Sequence, residues 1–366
     1  KNNIDITYEN IEFYLNILNK SLILINCIAL FCLGIFVYSK TSNLIMSLLL
    51  QLTPFISFEI FYGLVIVSPE NFLILSVLSL SAVLFYMVYD ADSGKHNFAL
   101  SILFAVICGF GSVSKLNFVP LCILPFILLK GIKYKLIFSA GTILVFFIFF
   151  LPVISKFTKF FSWAGNLTVN SGIHGKTDLS KFDLTLFFNN IIHILSNDVF
   201  LAVIYFLIIA VLILSLKIKN ENSSEQDVRK SIKERRVLFA ILLAITFQIL
   251  VVAKNYMPYA QYYIVPSLML AVTGLIFLIS LSLRTFKSLA NIESKKVFMT
   301  AFLMVSLFSV FEINKSFTEA SQLRDESLKI NRIIEDYSGS ETVIPSVGTA
   351  NEDCALALCV MFDYSG

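Results

Sequence analysis

Apolar runs of roughly 20 residues, each closed by a short polar cluster, recur along the chain from Ser21 to Ile313. At about 1.5 Å per residue, a helix of that length covers the ~30 Å hydrocarbon core of a bilayer. About ten runs qualify: 21–38, 43–66, 70–89, 97–114, 116–130, 134–154, 198–216, 237–253, 262–282 and 297–313. Two of them are interrupted. The run 116–130 is short and contains Pro120 and Pro125, and 43–66 contains Pro54 and Glu59. Inside a bundle, neighbouring helices satisfy the backbone groups that such breaks free. The pattern predicts an all-α polytopic membrane protein of about ten transmembrane helices.

Composition agrees with the pattern. Hydrophobic residues make up 57% of the 366 and charged residues only 14%, against roughly half and a quarter in soluble domains. A soluble core cannot hide 36 Phe and 14 Tyr behind so few charges, and the mean hydropathy of +0.82 points the same way. The net charge of +3 is too small to imply nucleic acid as a partner; membrane lipid is implied. Cys27, Cys32, Cys108 and Cys122 lie in apolar runs, where thiols behave as small hydrophobes. Cys354 and Cys359 could pair only if the tail lies in an oxidising compartment. No cleavable signal peptide is visible, and Lys1 and Gly366 both read as cut ends of a longer chain.

Charge placement orients the bundle, because Lys and Arg in short loops favour the cytoplasmic side. The segment 217–236 holds Lys217, Lys219, Arg229, Lys230, Lys233, Arg235 and Arg236, and 283–296 holds Arg284, Lys287, Lys295 and Lys296. With both on the cytoplasmic side, counting spans outward puts Lys130, Lys133 and Lys135 there too, an independent check. The same count assigns the Ser68-Pro69-Glu70 turn, Lys115, the loop 156–197, the turn from Lys254 to Tyr263 and the C-terminal tail to the outer face.

The expected organisation is an outer segment at 1–17, the remnant of a first outer loop, and a transmembrane domain at 18–314. That domain has an outer loop at 156–197 and a cytoplasmic linker at 217–236. The start of an outer soluble domain follows at 315–366. Residues 220–234 read as a flexible linker without chemistry. Beyond Phe311 an amphipathic stretch through Leu323, Leu328, Ile330 and Ile333 leads to Thr342–Pro345 and Ala355–Leu358, the opening of a truncated outer α/β appendage. No internal repeat points to a transporter built from duplicated halves.

Each polar residue at the outer mouth has a structural reading beside a chemical one. Glu59, in Phe58-Glu59-Ile60-Phe61-Tyr62, either faces a cavity or partner, since an ionisable group within a span costs at least ~2.5 kcal/mol, or marks an early end of the run near Phe58. Glu70 is either a first-turn acid of a helix capped by Ser68 and opened by Pro69, or a functional carboxylate. Lys115 has almost no loop to hold it and either snorkels to lipid headgroups or neutralises a phosphate.

The stretch from Trp163 to Lys176 is the least lipid-like of the chain. Its glycines permit close backbone approach, and His174 and Lys176 could bind phosphate or shuttle a proton; the alternative is a plain surface loop. Asn166-Leu167-Thr168 also fits a glycosylation sequon. Lys254 precedes Tyr256, Tyr259, Tyr262 and Tyr263, a pattern that an aromatic belt produces and that a sugar ring or polyprenyl-phosphate head would also suit. No Ser-His-Asp arrangement, phosphate loop, Cys/His metal pattern or dinucleotide fingerprint is present.

In order, Asn19-Lys20-Ser21, Leu52-Thr53-Pro54, Ser68-Pro69-Glu70, Ser114-Lys115-Leu116-Asn117, Ser171-Gly172-Ile173-His174-Gly175, and Lys254 leading into Tyr262-Tyr263-Ile264-Val265-Pro266 resemble the GT-C superfamily of membrane glycosyltransferases. The likeness runs from about Asn19 to Gln261 and is to the branch of protein O-mannosyltransferases and aminoarabinose transferases. It implies inverting transfer of a sugar from a polyprenyl-phosphate donor to a glycan, lipid or protein acceptor at the outer membrane face, in a bacterial inner membrane. An acidic group would deprotonate the acceptor and cations would hold the departing phosphate. The family carries its principal acidic residue on the first outer loop after a first helix, which here would lie upstream of Lys1; Lys20 stands where the family often has Arg.

Together, the residue reading and the resemblance leave as candidates Glu70 and Glu59 as acids, and Lys115, His174, Lys176, Lys254, Tyr262 and Tyr263 as substrate-binding groups. It names no cofactor and leaves a divalent metal open. Two rivals remain: a transporter or flippase of lipid-linked sugars, and a polysaccharide polymerase or ligase. The polymerase or ligase would rely on outer arginines, and 156–197 has none.

Overall fold

A computed structural model describes residues 8–65, 67–90, 96–169, 184–217, 225–254, 261–286, 296–315 and 318. Among the described residues every regular element is a helix. The chain divides into two units, Lys1–Ile313 and Asn314–Gly366. The second lies almost wholly outside the described residues, and so do the expected α/β appendage, Cys354 and Cys359.

The first unit runs through α1 (Tyr8–Thr41), α2 (Leu44–Leu52), α3 (Phe58–Val65), α4 (Glu70–Tyr89), α5 (Asn97–Ser114), α6 (Ile123–Leu128) and α7 (Ile132–Phe150). It continues through α8 (Phe157–Val169), α9 (Leu184–Asn197), α10 (Val199–Lys217), α11 (Glu225–Lys254) and α12 (Val265–Phe286). A last apolar helix, α13, covers Lys296–Lys315. Among the described residues, eight helical stretches are long and apolar enough to cross a membrane: Asn16–Thr41, Glu70–Tyr89, Asn97–Ser114, Ile132–Ser162, Val199–Leu216, Asp227–Lys254, Tyr262–Thr285 and Lys296–Lys315.

The two interrupted runs are the ones that do not form single helices. The stretch 43–66 becomes α2, a 3₁₀ turn at Thr53–Ile56 opened by Pro54, an extended Ser57, and α3. The stretch 116–130 becomes a 3₁₀ segment, Leu116–Cys122, followed by α6. A 3₁₀ helix rises about 2.0 Å per residue, so these few residues still traverse about 23 Å. The traverse is visible in the packing. A Cβ on Gly141 would meet Ala105, and one on Gly109 would meet Thr142 and Val145, so α5 and α7 run parallel and 116–128 returns the chain between them.

Three stretches expected as loops or linker are helical. Residues 8–17 belong to α1, whose apolar span begins at Asn16. The loop 156–197 is helical over α8 and α9: Phe187, Ile191, Ile194 and Leu195 recur at helical spacing and pack on the core. The polar linker is helical from Glu225 onward, because α11 extends down to that residue as one 30-residue helix.

Burial ranks the helices. In the most apolar window of α12, 94% of residues are buried, against 11% in the α7 span and 17% in α13. The centre of the bundle is therefore α12, and α7 and α13 offer residues such as Leu144, Ile148, Leu307 and Phe308 to the surroundings. Such continuous exposed apolar surface is stable in lipid and not in water.

The two ends of the bundle differ in charge. At one end Lys40 pairs with Asp90 at 2.8 Å, Lys233 donates to the Asp90 carbonyl at 2.8 Å, and Arg236 donates to the Ile127 carbonyl. Arg284 pairs there with Glu234 at 2.9 Å. This end is the more basic of the two. The other end carries the starts of α4, α10 and α12 and the ends of α5 and α11.

Candidate functional site

Helix α5 stops at Lys115, whose backbone is extended (φ −161°, ψ 131°). Its ammonium lies 2.5 Å from Glu70 Oε1, with the two side chains 20% and 5% exposed. Glu70 opens α4 directly after Pro69, and Ser68 makes no side-chain cap there. Glu70 is thus a first-turn acid of α4 without the Ser68 cap, and it is also half of a buried ion pair.

The same ammonium sits 4.3 Å from the ring centres of both Tyr262 and Tyr263. These rings lie 4.6 Å apart on the 3₁₀ turn Gln261–Ile264 that leads into α12. The faces of aromatic rings attract a cation, so Lys115 is held between a carboxylate and two ring faces. Around it, Asn117 Nδ2 and Gln248 Nε2 both donate to the Tyr263 carbonyl at 2.9 Å, and Asn26 Nδ2 donates to Asn71 Oδ1 at 3.3 Å.

An acidic group adjoins this cluster. Glu59 lies on α3, outside the eight spanning stretches, because the apolar run breaks at Ser57. It is half-buried, and among the described residues it has no hydrogen-bond or ion-pair partner. Burial first, then the charges of Asp198 and Glu70, push its carboxyl up to about 7. Asp198 caps α10 by accepting from the Leu201 N–H at 2.8 Å and from the Ser57 hydroxyl at 3.4 Å. Its carboxyl is raised by burial, a shift that those two hydrogen bonds oppose and the charge of Glu312 adds to.

Of the residues singled out in the sequence, the structure brings together Glu70, Lys115, Tyr262 and Tyr263, and sets Glu59 beside them. Lys254 ends α11 at the same end of the bundle, six residues beyond Gln248. His174 and Lys176 lie outside the described residues. Sequence reasoning missed Asp198, whose place before an apolar run reads as an ordinary N-cap, and Asn117, Gln248 and Ser267. Gln248 had a usable signal, a polar amide inside an apolar span. Among the described residues no group of three or more His, Cys, Asp or Glu side chains could hold a metal ion.

At the opposite end a second polar network closes the bundle. Fully buried Glu234 accepts from Ser280 Oγ at 2.7 Å and from Arg284 at 2.9 Å. Tyr89 lies 3.4 Å from Ser280 Oγ, and the Lys230 ammonium lies 3.9 Å from the centre of the Tyr89 ring. Compared with known protein families, curated proteins and solved structures, the chain matches none.

Proposed function

We propose that this protein is a membrane glycosyltransferase that moves a sugar from a polyprenyl-phosphate donor to an acceptor at the outer face of the membrane. The observation that carries this reading is the convergence of Lys115, Glu70, Tyr262 and Tyr263 at the less basic end of an apolar bundle. A lipid-tailed donor needs an apolar bundle for its chain, a cation for its phosphate and aromatic faces for its sugar. These are the groups gathered here, in the order that resembles the GT-C superfamily.

In the proposed reaction the acceptor hydroxyl gives its proton to Glu59, and its oxygen bonds to the anomeric carbon from the side opposite the phosphate. The bond from that carbon to the phosphate oxygen breaks, and polyprenyl phosphate leaves with both electrons of that bond against Lys115 and Lys254. Glu70 is committed to Lys115, whereas the Glu59 carboxyl, pushed up to about 7, is partly carboxylate near neutrality and can take a proton there, which is the match to working pH that a general base needs.

The test is transfer of radiolabelled sugar from a panel of polyprenyl-phosphate donors by the full-length protein. A Lys115→Ala, Lys254→Ala variant should lose about 100-fold or more, the usual loss when a charge-stabilising group is removed. Wild-type rates from that folded variant would overturn the assignment of the phosphate site.

A further inference from the structure

Serines and threonines in these helices commonly return their hydroxyl to the carbonyl one turn back. Ser76 bonds Phe72, Ser81 bonds Val77, Ser101 bonds Asn97, Thr246 bonds Leu242 and Thr285 bonds Leu281. Ser267 departs from this habit: it is fully buried and its hydroxyl has no partner among the described residues. The carbonyl one turn back, that of Tyr263, already accepts from both Asn117 and Gln248.

An amide that turns its NH₂ toward a carbonyl turns its own oxygen away. Both oxygens, Asn117 Oδ1 and Gln248 Oε1, are buried and lack partners among the described residues, and Gln248 is wholly buried. Buried polar atoms are almost always satisfied, so this concentration around one backbone carbonyl points to a bound group.

We infer that Asn117, Gln248 and Ser267 form a subsite for the hydroxyl groups of the donor sugar, an inference that rests on the transferase reading above. The chemistry selects the occupant. Amide oxygens only accept, so their partner must donate; a phosphate offers acceptors, and a polyprenyl tail offers nothing. Sugar hydroxyls donate to the amides and exchange hydrogen bonds with Ser267. Asn117 follows Lys115 by two residues, and Tyr263 touches both groups, so sugar and phosphate subsites adjoin as they do in a lipid-phosphate sugar.

The experiment compares binding of undecaprenyl phosphate with that of undecaprenyl phosphate bearing glucose, mannose, galactose or aminoarabinose, using the full-length protein in detergent. The wild-type protein should bind at least one sugar-bearing lipid more tightly than the bare lipid. Ser267→Ala should reduce that preference about threefold to tenfold, the worth of one hydrogen bond, without changing affinity for the bare lipid. Its thermal stability should hold or rise, because the hydroxyl removed has no partner, which separates a ligand role from a folding role.

A preference that survives Ser267→Ala, or no preference at all, overturns the subsite and leaves a bound water as its occupant, with the transferase reading intact if Lys115→Ala still abolishes transfer. Failure of the bare lipid to bind the wild-type protein overturns both.

Discussion

Replacing Lys115 by Met isolates the ion pair on which the site is built. At 2.5 Å separation, and with an effective dielectric of about 20, the Coulomb attraction is about 7 kcal/mol. Desolvation takes back several kcal/mol per ion, so the pair as a whole contributes little against an apolar replacement. Removing only the cation is different, because Glu70, 5% exposed, keeps its charge without its partner; such losses run about 3–5 kcal/mol. Lys115 retains a fifth of its side-chain surface, which places the cost near the lower end, about 3 kcal/mol.

Glu70→Gln should cost less, about 1–2 kcal/mol, since Lys115 keeps partial hydration and two ring faces. The double variant should recover to within about 1 kcal/mol of wild type, giving a coupling of about 3–5 kcal/mol. Equilibrium unfolding in mixed micelles measures all four corners of the cycle. A Lys115→Met cost below about 1 kcal/mol, or strictly additive single changes, would refute the reasoning.

At the basic end, Arg284→Met should destabilise by about 3 kcal/mol because fully buried Glu234 loses its cation; the same unfolding assay, with Glu234→Gln added as the rescue, reads it. Gly109→Ala should cost about 1–3 kcal/mol, since the new Cβ would sit 2.8 Å from the Thr142 carbonyl, whereas Gly165→Ala, with open space around it, should be neutral or stabilising. The transfer rate should rise with pH through about 7, because the base must be the carboxylate and Glu59 is held near that value. Asp198→Asn should move that limb to lower pH by removing a like charge, and Glu59→Gln should abolish it; a limb indifferent to both changes would remove Glu59 as the base.

The bilayer writes its thickness into a sequence, which is why the spans could be read from apolar run lengths and why Pro54, Pro120 and Pro125 announced the two broken segments. The site was readable only as a shared side. Glu70, Lys115 and Tyr263 are far apart in sequence, and nothing local says that the Lys115 ammonium meets the other two. Glu59 was ambiguous because its run length alone does not reveal the extended Ser57 that moves it out of a span. The charged stretch before Val237 looked like solvated linker because it is polar throughout; in the structure Lys230 and Glu234, one turn apart, face Tyr89 and Ser280. Tertiary packing chose that face, and its composition did not.

The two polar ends bear differently on the rival readings. A transporter that alternates its access must open both ends, and at the basic end this means parting α12 from α4 and α11. That motion would break the contacts of Tyr89, Glu234, Ser280 and Arg284 and leave a wholly buried carboxylate without its cation. At the opposite end Lys115, Tyr262 and Tyr263 are partly exposed, and several buried oxygens beside them lack partners among the described residues, so a ligand would gain hydrogen bonds there. One-face chemistry fits that asymmetry. A disulfide engineered between α11 and α12 at the basic end should therefore leave sugar transfer within about twofold of the reduced protein, since its contacts already hold in the closed bundle. Transfer that stops on oxidation and returns on reduction would mean that this end must open, and would favour the transporter.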